Sequence, residues 1–175
     1  MQDVIQRAAQ IRLVIFDVDG VLTDGSLYFG DDGLEYKAFN VRDGLGMGML
    51  QETGVQLAVI SGRRSEVVRI RMDGLGVTHV YQGVRDKLPA YEDLKQTLGL
   101  ADAAIAYVGD DLIDLSIMRR VGLAITVADA HPLVRRHAHW CTQAPGGRGA
   151  AREVCELIME SQETLEPMIS RYLCS

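Results

Sequence analysis

Two aspartates, Asp17 and Asp19, stand two residues apart directly after the largely apolar run at residues 11–16. This run predicts a buried strand, and Gly20 predicts that the strand opens into a loop. In open α/β sheets, ligands bind in the crevice at the carboxyl ends of the strands. Because neighbouring carboxylates repel each other, we expect a hard divalent cation to hold them together. The pair favours metal-assisted chemistry on an oxygen-rich, phosphorylated substrate over the alternative of a turn with solvated acids.

Three further polar signals follow predicted strands. Ser61, with the glycine after it, can hold phosphate oxygens, or it can merely belong to the cap of the next helix. Lys87 can neutralise a phosphoryl group as a compact charge, or it can be a solvated surface lysine. Asp110, Asp111 and Asp114 follow an apolar run, and Asp114 lies one helical turn after Asp110, so both reach the same face. Three acids here favour a hard-metal site over acids that only complement a helix dipole.

The elements that must position these residues are short apolar runs that alternate with helix-period segments. The predicted strands cover residues 13–17, 55–61, 79–82, 104–109, 123–127 and 139–142. The predicted helices cover residues 44–53, 65–75, 87–98, 112–119, 132–137 and 150–161. This alternation predicts right-handed βαβ units and a parallel sheet covered on both faces. The expected fold is a single α/β domain, a Rossmann-like three-layer sandwich.

One segment, residues 25–40, breaks this alternation. Two aromatic-rich runs flank residues 30–33 (Gly-Asp-Asp-Gly), which is a strong signal for a hairpin turn. The apolar side chains of the segment are Leu27, Tyr28, Phe29, Tyr36 and Phe39. Because an isolated hairpin is marginal in water, we expect this one to protrude and to pack against its own domain or a partner subunit.

Composition and net charge limit the kinds of partner and the cellular location that we expect. The chain has 175 residues and a net charge of −6, which argues against nucleic-acid binding driven by bulk charge. The polar N-terminal residues 1–10 contain no signal-peptide core, and no run is long enough to span a membrane, so a cytoplasmic protein is expected. Cys141, Cys155 and Cys174 are widely spaced and are expected to be reduced thiols. Residues 144–149 are expected to form a flexible connector, and residues 163–175 a mobile tail.

In their order along the chain, the polar signals resemble the four motifs of the haloacid dehalogenase superfamily of phosphotransferases. The likeness extends over residues 13–160. The residues that carry it are Asp17-x-Asp19-Gly20-x-x-x-Asp24, Ser61, Lys87 and Gly109-Asp110-Asp111-x-x-Asp114. No segment between Asp24 and Ser61, or between Ser61 and Lys87, is long enough for a cap domain. Capless members of this superfamily usually close their sites by oligomerising.

More narrowly, the chain resembles the phosphatases of 3-deoxy-D-manno-octulosonate (KDO) 8-phosphate. The segments that carry this likeness are residues 39–44, 61–63, 81–83, 87–88, 146–150 and 152–153. The resemblance implies hydrolysis of KDO 8-phosphate to KDO and phosphate in lipopolysaccharide precursor biosynthesis. It also implies a homotetramer that the aromatic hairpin assembles.

The same resemblance implies a role for each motif residue. Asp17 is the nucleophile that forms an aspartyl-phosphate, and Asp19 protonates the leaving sugar oxygen and then deprotonates the attacking water. Ser61 and Lys87 stabilise the charge of the transferring phosphoryl group. The implied cofactor is Mg²⁺. Its implied ligands are Asp17, the backbone carbonyl of Asp19 and Asp110, with Asp111 and Asp114 orienting them.

A sugar-acid substrate also requires a group that binds its carboxylate. Arg42, Arg63 and Arg71 are the candidates, since a guanidinium matches a carboxylate bidentately. For Arg71, a solvated charge on a helix face is the alternative. The other predicted substrate contacts are Asp19, Asn40, Val41, Asp43, Gly44, Gly48 and Lys87. Arg148, in the glycine-rich connector, is a candidate to reach the site of a neighbouring subunit.

Three other functions stay open. The first is a phosphatase for another sugar-acid phosphate, such as a sialic acid 9-phosphate. The second is a non-catalytic module of the same fold that only assembles, which the retained Asp17, Asp19 and Lys87 disfavour. The third is a receiver that merely accepts phosphate on Asp17, which gives no reason for the positions of Asp19 and Asp114.

Overall fold

The computed structural model describes residues 1–173, so the thiol of Cys174 lies outside the described residues. In chain order, the strands are β1 (Leu13–Phe16), β2 (Tyr28–Phe29), β3 (Glu35–Tyr36), β4 (Gln56–Ser61), β5 (His79–Gln82), β6 (Ile105–Gly109), β7 (Leu123–Thr126) and β8 (Trp140–Cys141). Six of them form a parallel sheet in the order β5-β4-β1-β6-β7-β8. The chain moves outward from β1 in both directions, so the crevice beside the carboxyl end of β1 is a topological switch point.

Among residues 1–173, eight helices connect or flank these strands. They are α1 (Gln2–Ala8), α2 (Val41–Glu52), α3 (Glu66–Gly74), α4 (Lys87–Leu98), α5 (Leu115–Met118), α6 (Pro132–His137), α7 (Ala150–Ser161) and α8 (Leu165–Leu173). Short 3₁₀ turns occur at Asp102–Ala104 and Leu112–Asp114. Within the part of the chain that is described, no helix has the length and apolar character of a membrane span.

The alternation of side chains along the central strands produces the three layers. In β1, Val14 and Phe16 join one core with residues of α1, α2, α3 and α7. Leu13 and Ile15 join a second core on the opposite face, with residues of α4, α5 and α6. All four side chains are fully buried. This two-sided burial explains why the central strands are almost continuously apolar in sequence, and it confirms the predicted three-layer α/β sandwich.

The predicted elements are found with small shifts, and two helices are additional. The helix predicted from residue 44 begins at Val41, because the Asn40 side chain accepts a hydrogen bond from the N–H of Arg42 (2.9 Å) and caps it. The helix predicted at residues 112–119 is a 3₁₀ turn followed by the short α5. Helices α1 and α8 had no sequence prediction; α8 occupies most of the tail, whose mobility stays a prediction.

The hairpin forms a separate two-stranded sheet of β2 and β3, with Tyr28 opposite Tyr36. The N–H of Gly33 donates to the carbonyl of Gly30 (2.9 Å) and closes the predicted turn. The large apolar side chains of the hairpin are between 43% and 62% exposed, and they are Leu27, Tyr28, Phe29, Leu34 and Tyr36. Phe39, at the base, packs against the first core. The other described residues therefore leave about half of the surface of these hairpin side chains exposed.

Candidate active site

The strand register brings the predicted site residues to one edge of the sheet. Phe16, the last residue of β1, pairs with Val59 of β4 and with Val108 of β6, and these two strands end one or two residues further on, so all three end near the same edge. The backbone N–H of Asp17 donates to the carbonyl of Val108 (2.9 Å), which continues this pairing one residue beyond β1. Ser61 is the last residue of β4. The carboxyl edge of the sheet thus gathers the motifs, as the sequence predicted.

Lys87 is the centre of a buried ion cluster. Its Nζ lies 2.9 Å from Oδ2 of Asp17 and 2.7 Å from Oδ1 of Asp114, and its side chain has no exposed surface. Burial alone would lower the pKa of Lys87, but the negative charges of Asp17 and Asp114 raise it by more than burial lowers it. The pKa of Lys87 is therefore above its ordinary value. Lys87 is therefore a buried cation held between two carboxylates, and the solvated-lysine alternative is wrong.

Asp114 positions its neighbours. Its Oδ2 accepts hydrogen bonds from the backbone N–H groups of Asp110 (3.0 Å) and Asp111 (3.1 Å). Its Oδ1 accepts from Lys87 and from the hydroxyl of Tyr107 (2.7 Å). Both oxygens are thus committed to protein donors, although Asp17, Asp110 and Asp114 have carboxylate oxygens within 4.8 Å of one another. Sequence reasoning missed Tyr107; a hydroxyl in the middle of an otherwise apolar strand was the available signal.

The carboxylates of Asp17 and Asp110 meet the requirements of a divalent cation. Oδ1 of Asp110 is buried and has no hydrogen-bond partner among the described residues. Burial and the charges of Asp17 and Asp114 raise the pKa of Asp110 to about 8. Burial and the charge of Asp114 likewise raise the pKa of Asp17 to about 7, against the opposing charge of Lys87. The unpartnered oxygen of Asp110, close to a second carboxylate, that of Asp17, fits a hard ion such as Mg²⁺.

Gly20 leaves the space beside these carboxylates free. A Cβ built on Gly20 would lie 2.1 Å from Oδ2 of Asp110, so no side chain fits there. The residue also has a φ of +95°, which disfavours any residue with a Cβ. The loop after β1 can therefore approach the Asp110 carboxylate closely only because glycine stands at this position.

Asp19 lies in a ring of alternating charges that includes the hairpin. Its Oδ1 accepts from the ammonium of Lys37, and Lys37 Nζ also lies 3.3 Å from Glu35. Arg63 Nη2 donates to Glu35 (3.1 Å), and Arg63 Nε lies 3.9 Å from Oδ2 of Asp19. Sequence reasoning missed Lys37 and Glu35. The signal for them was the period of two in a strand, which places both on the face opposite Tyr36.

Ser61 is buried at the end of β4, and its hydroxyl oxygen accepts from the N–H of Arg63 (3.3 Å). The helix α3 starts later, at Glu66, and its N-cap residue is Ser65. Ser61 therefore does not cap that helix. Its hydroxyl lies in the loop that also carries Arg63 toward Asp19.

Arg71 lies under the loop that precedes α2. Its Nη2 donates to the carbonyl of Asn40 (3.5 Å), and its guanidinium carbon lies 5.9 Å from the centre of the Phe39 ring. A Cβ on Gly44 would lie 2.3 Å from Arg71 Nη2, so glycine is needed for this approach. The alternative of a solvated cation on the α3 face is therefore wrong. Val41 and Arg42, which follow Asn40, are exposed.

Asp43 has a structural role in this geometry. Its carboxylate is buried and accepts from the N–H groups of Gly149 (3.3 Å) and Arg152 (2.9 Å) at the start of α7. Burial raises the pKa of Asp43 despite these hydrogen bonds. The predicted contact of Asp43 with substrate stays a prediction. At Gly48, a Cβ would meet no atom within 4 Å, so open space adjoins this residue.

The connector at residues 144–149 is anchored to the site. The N–H of Gly147 donates to the carbonyl of Val21 (2.9 Å), and the N–H of Gly146 donates to Asp129 (2.9 Å). The expected flexible connector thus packs against the loop that follows β1. Arg148 extends from it, and its Nη2 lies 3.8 Å from Asp24.

Known proteins are similar to this chain in sequence and in fold. The family of haloacid dehalogenase-like hydrolases matches residues 60–153, which is more than half of the chain. The 3-deoxy-D-manno-octulosonate 8-phosphate phosphatase of Yersinia pestis is 54% identical over 94% of this chain and 88% of its own length. The phosphatase of the same name from Escherichia coli (strain K12) is 51% identical over 94% of this chain and 87% of its own length.

Solved structures agree with these relatives. The crystal structure of the Yersinia pestis phosphatase superimposes with a TM-score of 0.93 and covers 94% of this chain and 89% of that one. The phosphatase of Moraxella catarrhalis, crystallised with a magnesium ion, a phosphate ion and a KDO molecule, is 41% identical with a TM-score of 0.97, covering 98% of this chain and 99% of that one. The chain therefore belongs to the haloacid dehalogenase-like hydrolases and, within them, to the family of the 3-deoxy-D-manno-octulosonate 8-phosphate phosphatases.

Proposed function

We propose that this protein hydrolyses KDO 8-phosphate to KDO and phosphate with Mg²⁺ as cofactor, in the synthesis of lipopolysaccharide precursors. The observation that supports this best is the buried arrangement of Asp17 against Lys87, beside the unpartnered carboxylate oxygen of Asp110. The high identity to phosphatases that carry this substrate in their names supports the choice of sugar acid.

Asp17 is the proposed nucleophile. Its Oδ1 accepts from the N–H of Val18 (2.7 Å) and its Oδ2 contacts Lys87, so the carboxylate is fixed in one orientation. Attack of a carboxylate oxygen on phosphorus forms an aspartyl-phosphate and breaks the bond to the sugar oxygen. Asp19 gives that oxygen a proton and later takes one from the water that releases phosphate.

The proposed metal ligands are Asp17, Asp110 and the backbone carbonyl of Asp19, with Asp111 and Asp114 holding the loop that carries Asp110. When bound, Mg²⁺ supplies positive charge that offsets the charge of the reacting phosphate. Lys87 supports Asp17 from the buried side, and Ser61 is the proposed hydroxyl donor to a phosphoryl oxygen.

The substrate is proposed to enter between the loop at residues 39–44 and the loop that carries Arg63. Arg42 and Arg63 are the exposed candidates for the sugar carboxylate, and Arg71 supports the loop from below through the carbonyl of Asn40. The remaining proposed contacts are Asp19, Asn40, Val41, Asp43, Gly44, Gly48 and Lys87.

We also propose a cytoplasmic homotetramer assembled through the hairpin, with no nucleic-acid or membrane partner. The open aromatic faces of the hairpin support assembly, since a two-stranded ribbon alone is marginal in water. Light scattering tests it: wild type should be a tetramer and Phe29→Ser a smaller species. Leu133→Ser, an exposed apolar residue on α6, is the matched control and should leave the mass unchanged. A monomeric wild type would refute the tetramer.

The function is tested with a panel of phosphorylated sugars and sugar acids. Phosphate release is measured with and without Mg²⁺, and kcat/KM is compared between KDO 8-phosphate and a sialic acid 9-phosphate. KDO 8-phosphate should be the best substrate, and Asp17→Asn should release no phosphate. A better sialic acid phosphate would reassign the substrate. No Mg²⁺-dependent release from any member of the panel would support the non-catalytic module instead.

A further inference from the structure

The side chain of Lys37 is buried, although the apolar side chains of its hairpin are exposed. It stands one residue after β3, and its side chain has no exposed surface. The preceding residue, Tyr36, is 53% exposed on the opposite face. Long cationic side chains normally keep their charge in water, so full burial of this lysine requires partners for the ammonium.

The partners of Lys37 are two carboxylates, and one of them is the proposed acid–base group. The ammonium contacts Oδ1 of Asp19 and lies 3.3 Å from Glu35. Arg63 completes the ring, since it donates to Glu35 at 3.1 Å and lies 3.9 Å from Oδ2 of Asp19. Two acids and two cations alternate, so each charge faces an opposite one. The hairpin thereby reaches Asp19 as well as presenting an assembly surface.

We propose that Lys37 is a positioning residue for proton transfer by Asp19. Because the ammonium holds Oδ1, the carboxylate cannot rotate freely, and Oδ2 is the oxygen left to exchange a proton with the leaving sugar oxygen. Oδ1 can accept from Lys37 whether or not Oδ2 carries a proton, so the contact is compatible with both halves of the reaction. This inference rests on the proposed phosphatase function only in that Asp19 protonates an alkyl leaving group.

Lys37 is not placed as a receptor for the substrate. Its charge already faces Asp19 and Glu35, and its surface is covered by the protein. Arg63, whose side chain is 46% exposed, is the member of the ring that an anionic sugar can reach. The two cations of the ring therefore differ in role, Lys37 acting on Asp19 and Arg63 available to the ligand.

The test compares two leaving groups in Lys37→Met. The sugar alkoxide of KDO 8-phosphate requires a proton on departure, whereas the phenolate of 4-nitrophenyl phosphate leaves without one. We expect kcat/KM for KDO 8-phosphate to fall about 10- to 100-fold, because a misplaced reacting group typically slows a reaction by this much. We expect kcat/KM for 4-nitrophenyl phosphate to change less than about 3-fold, because acid catalysis contributes little to that step. An equal loss with both substrates, or no loss with either, would overturn the proposal.

A double-mutant cycle separates positioning from direct sugar contact. In an Asp19→Asn background, Lys37→Met should cause no further loss with KDO 8-phosphate, since the group that it positions is already gone. A full additional loss there would show that Lys37 acts on the substrate itself. Should Lys37→Met not fold, Lys37→Gln carries the same comparison with a neutral donor.

The matched control is Lys95→Met, which removes another ion-paired lysine far along α4, 2.8 Å from Glu92. It should change neither rate, and light scattering should show the same assembly for all variants. If wild type hydrolyses 4-nitrophenyl phosphate but not KDO 8-phosphate, the proposed substrate fails. The same two-substrate comparison is then made with the best alkyl phosphate of the panel in place of KDO 8-phosphate. Failure of the proposed substrate and failure of the proposed role of Lys37 are therefore distinguished.

Discussion

Replacing Lys87 by methionine tests the buried ion cluster. The substitution keeps the apolar stem and removes a cation that lies 2.9 Å from Asp17 and 2.7 Å from Asp114. Both carboxylates then lack their buried counter-charge, and breaking such a pair costs about 3–5 kcal/mol of the free energy of unfolding. For a chain of this length, that loss lowers Tm by roughly 6–20 °C.

The cost of Lys87→Met should depend on pH. Because the pKa of Asp17 already lies near 7, its carboxyl can take up a proton once Lys87 is gone, which relieves the uncompensated charge. We therefore expect the full loss at about pH 8 and a smaller one at about pH 5.5. Urea unfolding of metal-free protein, followed by circular dichroism at both pH values, measures it.

Lys95→Met is the matched control for stability as well. Its ammonium lies 2.8 Å from Glu92 and 3.0 Å from Asp102, but these acids are about half exposed, so the loss should be below about 1 kcal/mol. If Lys87→Met destabilises the protein no more than Lys95→Met at about pH 8, the argument from buried charge is wrong.

Three further predictions concern the metal and the loops around it. Without metal, the free energy of unfolding should fall from about pH 5 to about pH 8.5, because the raised pKa values of Asp17 (about 7) and Asp110 (about 8) let the folded state keep protons that the unfolded state has lost. Mg²⁺ should restore more stability at the higher pH. A free energy of unfolding, measured with urea in the presence of chelator, that stays constant or rises with pH would contradict this prediction. Gly20→Ala should lower Mg²⁺ affinity by about 10- to 100-fold in calorimetry, since its Cβ would strike Asp110, whereas Gly54→Ala, equally strained at a φ of +93° but with no atom within 4 Å, should not. Asp43→Ala should lower the free energy of unfolding by about 1–2 kcal/mol, because the start of α7 loses its cap, and it should raise KM for KDO 8-phosphate, because Asp43 is a proposed substrate contact. Unchanged stability would contradict the capping role, and an unchanged KM would contradict the substrate contact.

The central sheet and the main cluster could be predicted because each depends on local patterns. Strands buried on both faces read as continuous apolar runs, and the ends of parallel strands must meet at one edge. Asp17 and Asp110 follow such strands, and Lys87 begins the helix after the half-buried edge strand β5, so the meeting of all three could be predicted from the order of the elements. The capping of α2 by Asn40 shifted one helix start by only three residues.

The contacts that sequence reasoning missed join segments far apart in the chain. Asp43 caps a helix more than 100 residues away, and Lys37 reaches Asp19 only once the hairpin folds back on the loop after β1. One missed feature is local: the Asp114 carboxylate turns back to the backbone N–H groups of Asp110 and Asp111, at the 3₁₀ turn before α5. Residue type and spacing can place side chains on one face of an element, but they do not identify the distant residue that such a side chain will contact.

The most direct test of the account is to detect the phosphoryl group on Asp17. Wild type and Asp19→Asn are mixed with KDO 8-phosphate and Mg²⁺, quenched in acid within the first turnover, digested and analysed by mass spectrometry. The account predicts a transient phosphoryl group on the peptide that contains Asp17, longer-lived in Asp19→Asn because the base for its hydrolysis is missing. Full phosphate release with no phosphoryl group on that peptide, and with Asp17→Asn still active, would contradict it.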